Sequence, residues 1–227
     1  MDEAELHLTR LKKRVGMVKI GYALLLRDGR SALKRLYEIS GLPIFVDLKL
    51  HDIPRTVAQA ATVITSASDH IRFLTVHLSD GESIVHAARD AVRPGVGILG
   101  VTMLTSLPGE AAGEGATERV VALARIAKQA GCEGVVCSGY EAQAVKQAVG
   151  QDFLVVVPGI RPSWAEITND DQRRAMTPGE AIAQGADYLV IGRPIFTSQD
   201  PAGAADRVVQ EVDEALRRRG PIPIKPV

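Results

Sequence analysis

Three groups of residues in this chain have types and spacings that could do chemistry. The first is Asp47-Leu48-Lys49-Leu50-His51-Asp52-Ile53-Pro54. In a β-strand alternate side chains share a face, so Asp47 and Lys49 point one way while Val46, Leu48 and Leu50 point the other. If the apolar set packs under helices, the charged pair faces the inside of a barrel, where opposite charges are costly to hold without a partner or a task. An ion pair that merely plugs a barrel mouth has the same pattern. The second group is Val18-Lys19-Ile20-Gly21, where a lysine interrupts a short apolar strand near its carboxyl end. The same geometry carries Lys19 to the mouth beside Asp47, although a lone strand lysine also suits a solvated edge.

The third group is a pair of loops. Val157-Pro158-Gly159-Ile160-Arg161-Pro162 follows one strand, and Ile191-Gly192-Arg193-Pro194-Ile195 follows the next. A glycine lets an anion approach the backbone, and an arginine binds phosphate through two parallel hydrogen bonds. Between these loops, residues 158–177 show no regular periodicity and include Trp164, Asp170, Asp171, Gln172, Arg173 and Arg174. A segment of that length suits a lid over a phosphate or a mobile surface loop. Two weaker features are His77 at a strand end, equally suited to a substrate contact or a structural hydrogen bond, and the hydroxyls of Thr102, Thr105 and Ser106, which offer donors to a polar ligand but also suit turns.

The elements that must hold these groups alternate. Short β-branched runs at 17–20, 44–50, 73–78, 96–104, 134–138, 153–157 and 187–191 read as seven strands. Amphipathic runs at 2–15, 30–40, 55–67, 81–92, 117–130, 141–149, 178–184 and from 201 onward read as eight helices. Gly131 is a C′ residue for the fifth of these, and Asp200-Pro201 supplies an N-cap and N1 pair for the last. Strand–helix alternation with near-continuous apolar strands means a parallel sheet covered by helices. Seven strands could form an open doubly wound sheet. However, no Gly-x-Gly-x-x-Gly follows the first strand, so a dinucleotide site has no support. Eight helices fit a (β/α)8 barrel, a TIM barrel of the α/β class, with its first strand missing from this chain. One domain is expected over residues 1–219, followed by a Pro-rich tail at 220–227. Barrel enzymes place their sites at the carboxyl ends of the strands and commonly bind phosphate after strands seven and eight.

Composition narrows the partners. The 227 residues carry 27 basic and 27 acidic side chains, so no global field favours nucleic acid or anionic lipid. No apolar run approaches a membrane span of about 18 residues. The first residues are acidic where a signal peptide is basic, which predicts a cytoplasmic protein. Cys132 and Cys137 are too few for a disulfide scaffold or a four-cysteine zinc site, and reduced thiols are expected.

Taken together, Val18-Lys19-Ile20-Gly21 and Asp47-x-Lys49-x-x-Asp52-Ile53-Pro54 resemble the orotidine 5′-phosphate decarboxylases. So do Val101 to Ser106, Pro158-Gly159-Ile160-Arg161-Pro162, Asp171-Gln172-Arg173-Arg174, Met176-Thr177-Pro178 and Ile191-Gly192-Arg193-Pro194. The resemblance spans nearly the whole chain. The Asp-x-Lys-x-x-Asp element alone is shared with sugar-phosphate decarboxylases and aldolases of the same superfamily. The resemblance implies a homodimer of barrels with shared active sites that converts orotidine 5′-phosphate to UMP and CO2 in pyrimidine biosynthesis. It implies no metal and no organic cofactor. It further implies catalytic roles for Lys19, Asp47 and Lys49 of one subunit with Asp52 of the other. Thr56, His77, Ser106, Pro158, Arg161, Gln172, Gly192 and Arg193 are the implied substrate contacts.

The family normally begins with a strand ending in an aspartate that contacts ribose, just before the helix that starts here at residue 2. A start assigned too late, or trimming of the chain, is the favoured expectation. A barrel that truly lacks the strand is the other. A keto-sugar phosphate lyase needing magnesium and a non-catalytic nucleotide-binding barrel are the alternative functions.

Overall fold

Each strand pairs in parallel with its neighbour in sequence. β1 (Val18–Gly21), β2 (Ile44–Leu50), β3 (Ile71–His77), β4 (Gly97–Val101), β5 (Gly134–Val136), β6 (Leu154–Val157) and β7 (Tyr188–Leu189) form one sheet in that order. The computed structural model describes residues 2–79, 81–104, 115–165, 172 and 174–219. Among these, β1 and β7 are the two edges of the sheet.

The helices follow from the pattern between strands. They are α1 (Asp2–Leu11), α2 (Tyr22–Asp28), α3 (Ser31–Ser40), α4 (Pro54–Thr65), α5 (Glu82–Ala91), α6 (Ala116–Gln129), α7 (Gly139–Val149), α8 (Pro178–Ala183), α9 (Arg193–Phe196) and α10 (Pro201–Arg219). Local sequence explains many of their ends. Gly131 takes φ 84° after α6, and the N–H groups of Gly131 and Cys132 return to the carbonyls of Lys128 and Ala127, a Schellman close. Asp200 caps α10, accepting from the Gly203 N–H at 3.0 Å. Thr177 and Glu180 cap α8 reciprocally, as a capping box.

The sheet buries both faces. Val46, Leu74, Ile98, Val135 and Val155 lie against the helices. Phe45, Phe73, Leu99, Val101, Val136 and Val156 meet one another on the opposite face. That second cluster requires the sheet to curl on itself. Phe73 of β3 packs edge-on to Tyr188 of β7 at 5.6 Å between ring centres, across the concave side rather than along the ladder. The helical ring is continuous across the sheet's open seam: Leu11 packs with Ile195 and Ala205, and Arg14 pairs with Asp206 at 2.8 Å.

The architecture matches the alternation, with differences at element ends. The expected strand at 96–104 is confined to Gly97–Val101, and that at 187–191 to Tyr188–Leu189. The first helix stops at Leu11 rather than residue 15. An extra helix, α2, follows β1 directly; its Tyr22-Ala23-Leu24-Leu25-Leu26 run is apolar, yet none of its residues is buried. The tail at 220–227 lies outside the described residues.

Candidate active site

β1 and β2 bring the first two motifs together as strand alternation requires. Lys19 pairs across the ladder with Phe45, and Gly21 with Asp47. The Lys19 Nζ lies 3.0 Å from Asp47 Oδ2, and the Lys49 Nζ 2.9 Å from Asp47 Oδ1. Two ammonium groups therefore grip opposite oxygens of one carboxylate, leaving one net positive charge. Phe45, two residues before Asp47 and on the same face, seats the cluster on the apolar barrel interior. Burial pushes the Asp47 carboxyl up, but the Lys19 charge and the hydrogen bond and charge of Lys49 outweigh it. The group is held below its ordinary value of 3.8 and stays ionised.

Lys49 is locally unusual. Among the described residues it is the one non-glycine with positive φ, at 46°. The β2–β3 register breaks at this point. Val46 pairs with Leu74 and Leu50 with Val76, so β2 spends four steps where β3 spends two. The resulting bulge frees the Lys49 N–H from the ladder, and it donates instead to the Thr75 hydroxyl at 2.7 Å. Thr75 in turn donates to Asp47 Oδ1 at 3.1 Å. Sequence reasoning missed Thr75. The available signal was its place between Phe73 and His77 on one face of β3.

The other expected residues divide into sets. His77 ends β3 half-buried, its Nδ1 accepting from the Ser79 N–H at 3.3 Å, its ring stacked 5.2 Å from that of His51. Asp52 and Thr56 are exposed around the start of α4, and the Asp52 carboxylate accepts from the Ile53 N–H at 2.7 Å. They do not join the Lys19–Asp47–Lys49 cluster within this chain. Ile53, next to Asp52 in the chain, is 66% exposed, and Tyr22 and Leu26 of α2 are 53% and 83% exposed. The Tyr22 hydroxyl donates to the Leu48 carbonyl, which ties α2 to β2.

The loops after β6 and β7 occupy the same end of the sheet. Gly159 takes φ 74°, and a Cβ there would come within 2.8 Å of Gln172 Oε1. The positive φ favours glycine here, and the missing Cβ leaves room for the Gln172 side chain beside Pro158-Gly159. The Arg161 N–H donates to the Met176 carbonyl at 2.8 Å, and its guanidinium to the Ile160 carbonyl at 3.0 Å. Gly192 precedes α9, and among the described residues other than its chain neighbours no atom lies within 4 Å of where its Cβ would stand. That leaves an open approach to the backbone beside half-buried Arg193.

Arg174 is fixed by an ion pair to Glu141, which is 1% exposed at the start of α7. This second missed pair holds the chain just after Gln172 against the β5–α7 turn. Thr102 is a correction. It is buried and donates to the Val136 carbonyl at 2.9 Å, so its hydroxyl stitches β4 to β5 rather than facing a ligand. Thr105, Ser106, Asp170, Asp171 and Arg173 lie outside the described residues. Cys132 and Cys137 are free and buried, and burial pushes both thiols up to about 12.

The fold and the site define a barrel of the (β/α)8 type, one strand short in this chain, with a lysine–aspartate–lysine centre at the strands' carboxyl ends. The family model for the orotidine 5′-phosphate decarboxylase / HUMPS family matches residues 1–208, and the chain belongs to that family. An orotidine 5′-phosphate decarboxylase of Syntrophotalea carbinolica is 43% identical over 226 residues, covering 94% of this chain and 91% of that protein. One from Desulfosudis oleivorans is 40% identical over 227 residues, covering 96% and 90%. The crystal structure of orotidine 5′-phosphate decarboxylase from Lactobacillus acidophilus superposes with a TM-score of 0.72 at 33% identity, covering 86% of each chain.

Proposed function

We propose that this chain decarboxylates orotidine 5′-phosphate to UMP and CO2, the reaction that completes pyrimidine nucleotide synthesis. The observation that carries the reading is the Asp47 carboxylate gripped by Lys19 and Lys49 at 3.0 and 2.9 Å in a family member. In the reaction the bond from C6 of the pyrimidine to its carboxylate breaks, and the electron pair stays on C6 in the ring plane. The π-system cannot delocalise that pair, so stabilisation has to be electrostatic and preorganised. The Lys49 ammonium supports the charge developing on C6 and then gives C6 a proton, yielding UMP; solvent reprotonates the amine. Asp47 holds Lys49 in place, and Lys19 balances Asp47. The net positive cluster also attracts an anionic substrate.

Phosphate binding falls to Gln172, Gly192 and Arg193, with Pro158 and Arg161 shaping the loop, His77 at the mouth and Ser106 on the pyrimidine. Remote phosphate contacts supply binding energy for closure over the ring. Asp52 and Thr56 serve the partner's site in a homodimer. Support comes from their exposure at the start of α4, next to Ile53, which is 66% exposed, while their own chain's cluster does not use them. A cytoplasmic location suits such an enzyme.

The test is a direct assay of orotidine 5′-phosphate, following the loss of its absorbance, beside a keto-sugar phosphate with and without chelator. Turnover of the nucleotide, insensitive to chelator, is expected. Magnesium-dependent turnover of the sugar phosphate alone, or UMP binding without CO2 release, overturns the reading.

A further inference from the structure

Thr75 is fully buried in β3, and its hydroxyl has two partners whose chemistry fixes the direction of both bonds. The Lys49 N–H can only donate, so Thr75 Oγ1 accepts at 2.7 Å. The hydroxyl proton is then available to Asp47 Oδ1, 3.1 Å away, and an ionised carboxylate can only accept. One side chain thus touches both members of the charged pair, one through its backbone and one through its carboxylate. The bond to Lys49 is made where the β2–β3 ladder is interrupted, at a residue held at φ 46°. A left-handed lysine persists only where its surroundings over-determine it. On its other side Thr75 pairs in register with Leu99 of β4, so the hydroxyl projects from the interior of the sheet and not from a loop.

We propose that Thr75 is a positioning residue for the decarboxylation, setting the backbone of Lys49 and the orientation of Asp47 through a single hydroxyl. The proposal rests on the decarboxylase reading. Thr75 touches no reacting atom; it acts through Lys49 and Asp47.

The isosteric Thr75→Val keeps the shape and removes the hydroxyl, and Thr75→Ser keeps the hydroxyl and removes the methyl. In folded Thr75→Val, kcat for orotidine 5′-phosphate should fall roughly 10- to 100-fold, the worth of a hydrogen bond to a charged group. Affinity for UMP should stay within about threefold, and Thr75→Ser should keep kcat within about threefold of the parent. A folded Thr75→Val with parental kcat overturns the proposal. So does a Thr75→Ser as slow as Thr75→Val, because packing would then be the cause. If Thr75→Val does not fold, Thr75→Cys takes its place, with a weak donor in a similar volume, and must show the same split between kcat and UMP affinity. Amide hydrogen exchange at Lys49 gives a readout independent of turnover. It should be slow in the parent and Thr75→Ser and faster in Thr75→Val; equal protection in all three overturns the positioning role. A parent that exchanges as expected but does not turn over the nucleotide counts against the decarboxylase reading alone.

Discussion

The Lys49 ammonium and the Asp47 carboxylate meet at 2.9 Å from positions two residues apart, and they do so with Lys49 in the left-handed region of backbone space. A regular strand would place the two side chains side by side along one face. The bulge breaks the regular backbone at Lys49, yet the two side chains still meet on that face.

This geometry separates two effects of removing the lysine. Lys49→Ala and Lys49→Gly should both lose at least about 10³-fold in kcat, the scale of deleting a preorganised electrostatic group. Glycine, however, tolerates positive φ. Lys49→Gly should therefore be more stable than Lys49→Ala by about 1 kcal/mol, read by chemical denaturation. Equal stabilities would show that the backbone is relaxed at this site.

Asp47 makes stability depend on pH in a defined direction. Its carboxyl is held below the ordinary 3.8, with burial opposed and outweighed by Lys19 and Lys49. A depressed folded-state value contributes stability that is present above 3.8 and is lost as pH falls through the lower, folded value. The melting-temperature gap between the parent and Asp47→Asn should accordingly be constant near neutrality and shrink below pH 3.8. A gap that widens on acidification would contradict the ion-pair arrangement.

Arg193 stands beside the open face of Gly192. Arg193→Ala should weaken UMP binding roughly 10- to 100-fold, as for a charged hydrogen bond, and should affect uridine much less. Calorimetric titration of both ligands checks this. Equal losses for nucleotide and nucleoside would remove Arg193 from the phosphate site.

Exposed Asp52 and half-buried Lys49 predict a complementation in mixed subunits. In equimolar Asp52→Ala and Lys49→Ala chains, random pairing gives one intact site in half the dimers. That restores roughly a quarter of parental activity if sites are shared between two-fold-related subunits. A mixture no more active than either parent variant would place Asp52 outside the partner's site.

Arg174 and Glu141 form a pair in which Glu141 is almost wholly buried. Arg174→Met should cost about 3–5 kcal/mol by stranding that carboxylate, and Glu141→Leu in the same chain should recover most of it. Denaturation of the single and double variants reports the recovery. No recovery would mean that the arginine's packing, not its charge, secures the loop.

Much of this site was legible because period-two alternation is a strict rule. It correctly set Asp47 and Lys49 on the interior face with Phe45 beneath them and brought Lys19 alongside. It could not show the bulge, since an interrupted register depends on the partner strand and not on local residue types. For the same reason Thr75 passed as one polar residue within Phe73-Leu74-Thr75-Val76. Thr102 was misread because a strand-end hydroxyl looks alike whether it serves a ligand or the next strand's carbonyl. The Glu141–Arg174 pair joins positions 33 residues apart and leaves no local signature. Helix α2 was missed because its apolar run lacks the one-sided pattern of a helix packed on a core.

The seam between β1 and β7 has a mechanical meaning. Around the rest of the sheet, neighbouring strands are held by hydrogen bonds that resist sliding. At the seam, among the described residues, Leu11, Ile195 and Ala205 with the Arg14–Asp206 pair provide the closure through side chains alone. Lys19 sits on the strand that borders it. The one line along the sheet closed without ladder hydrogen bonds among the described residues thus runs past a member of the charged centre.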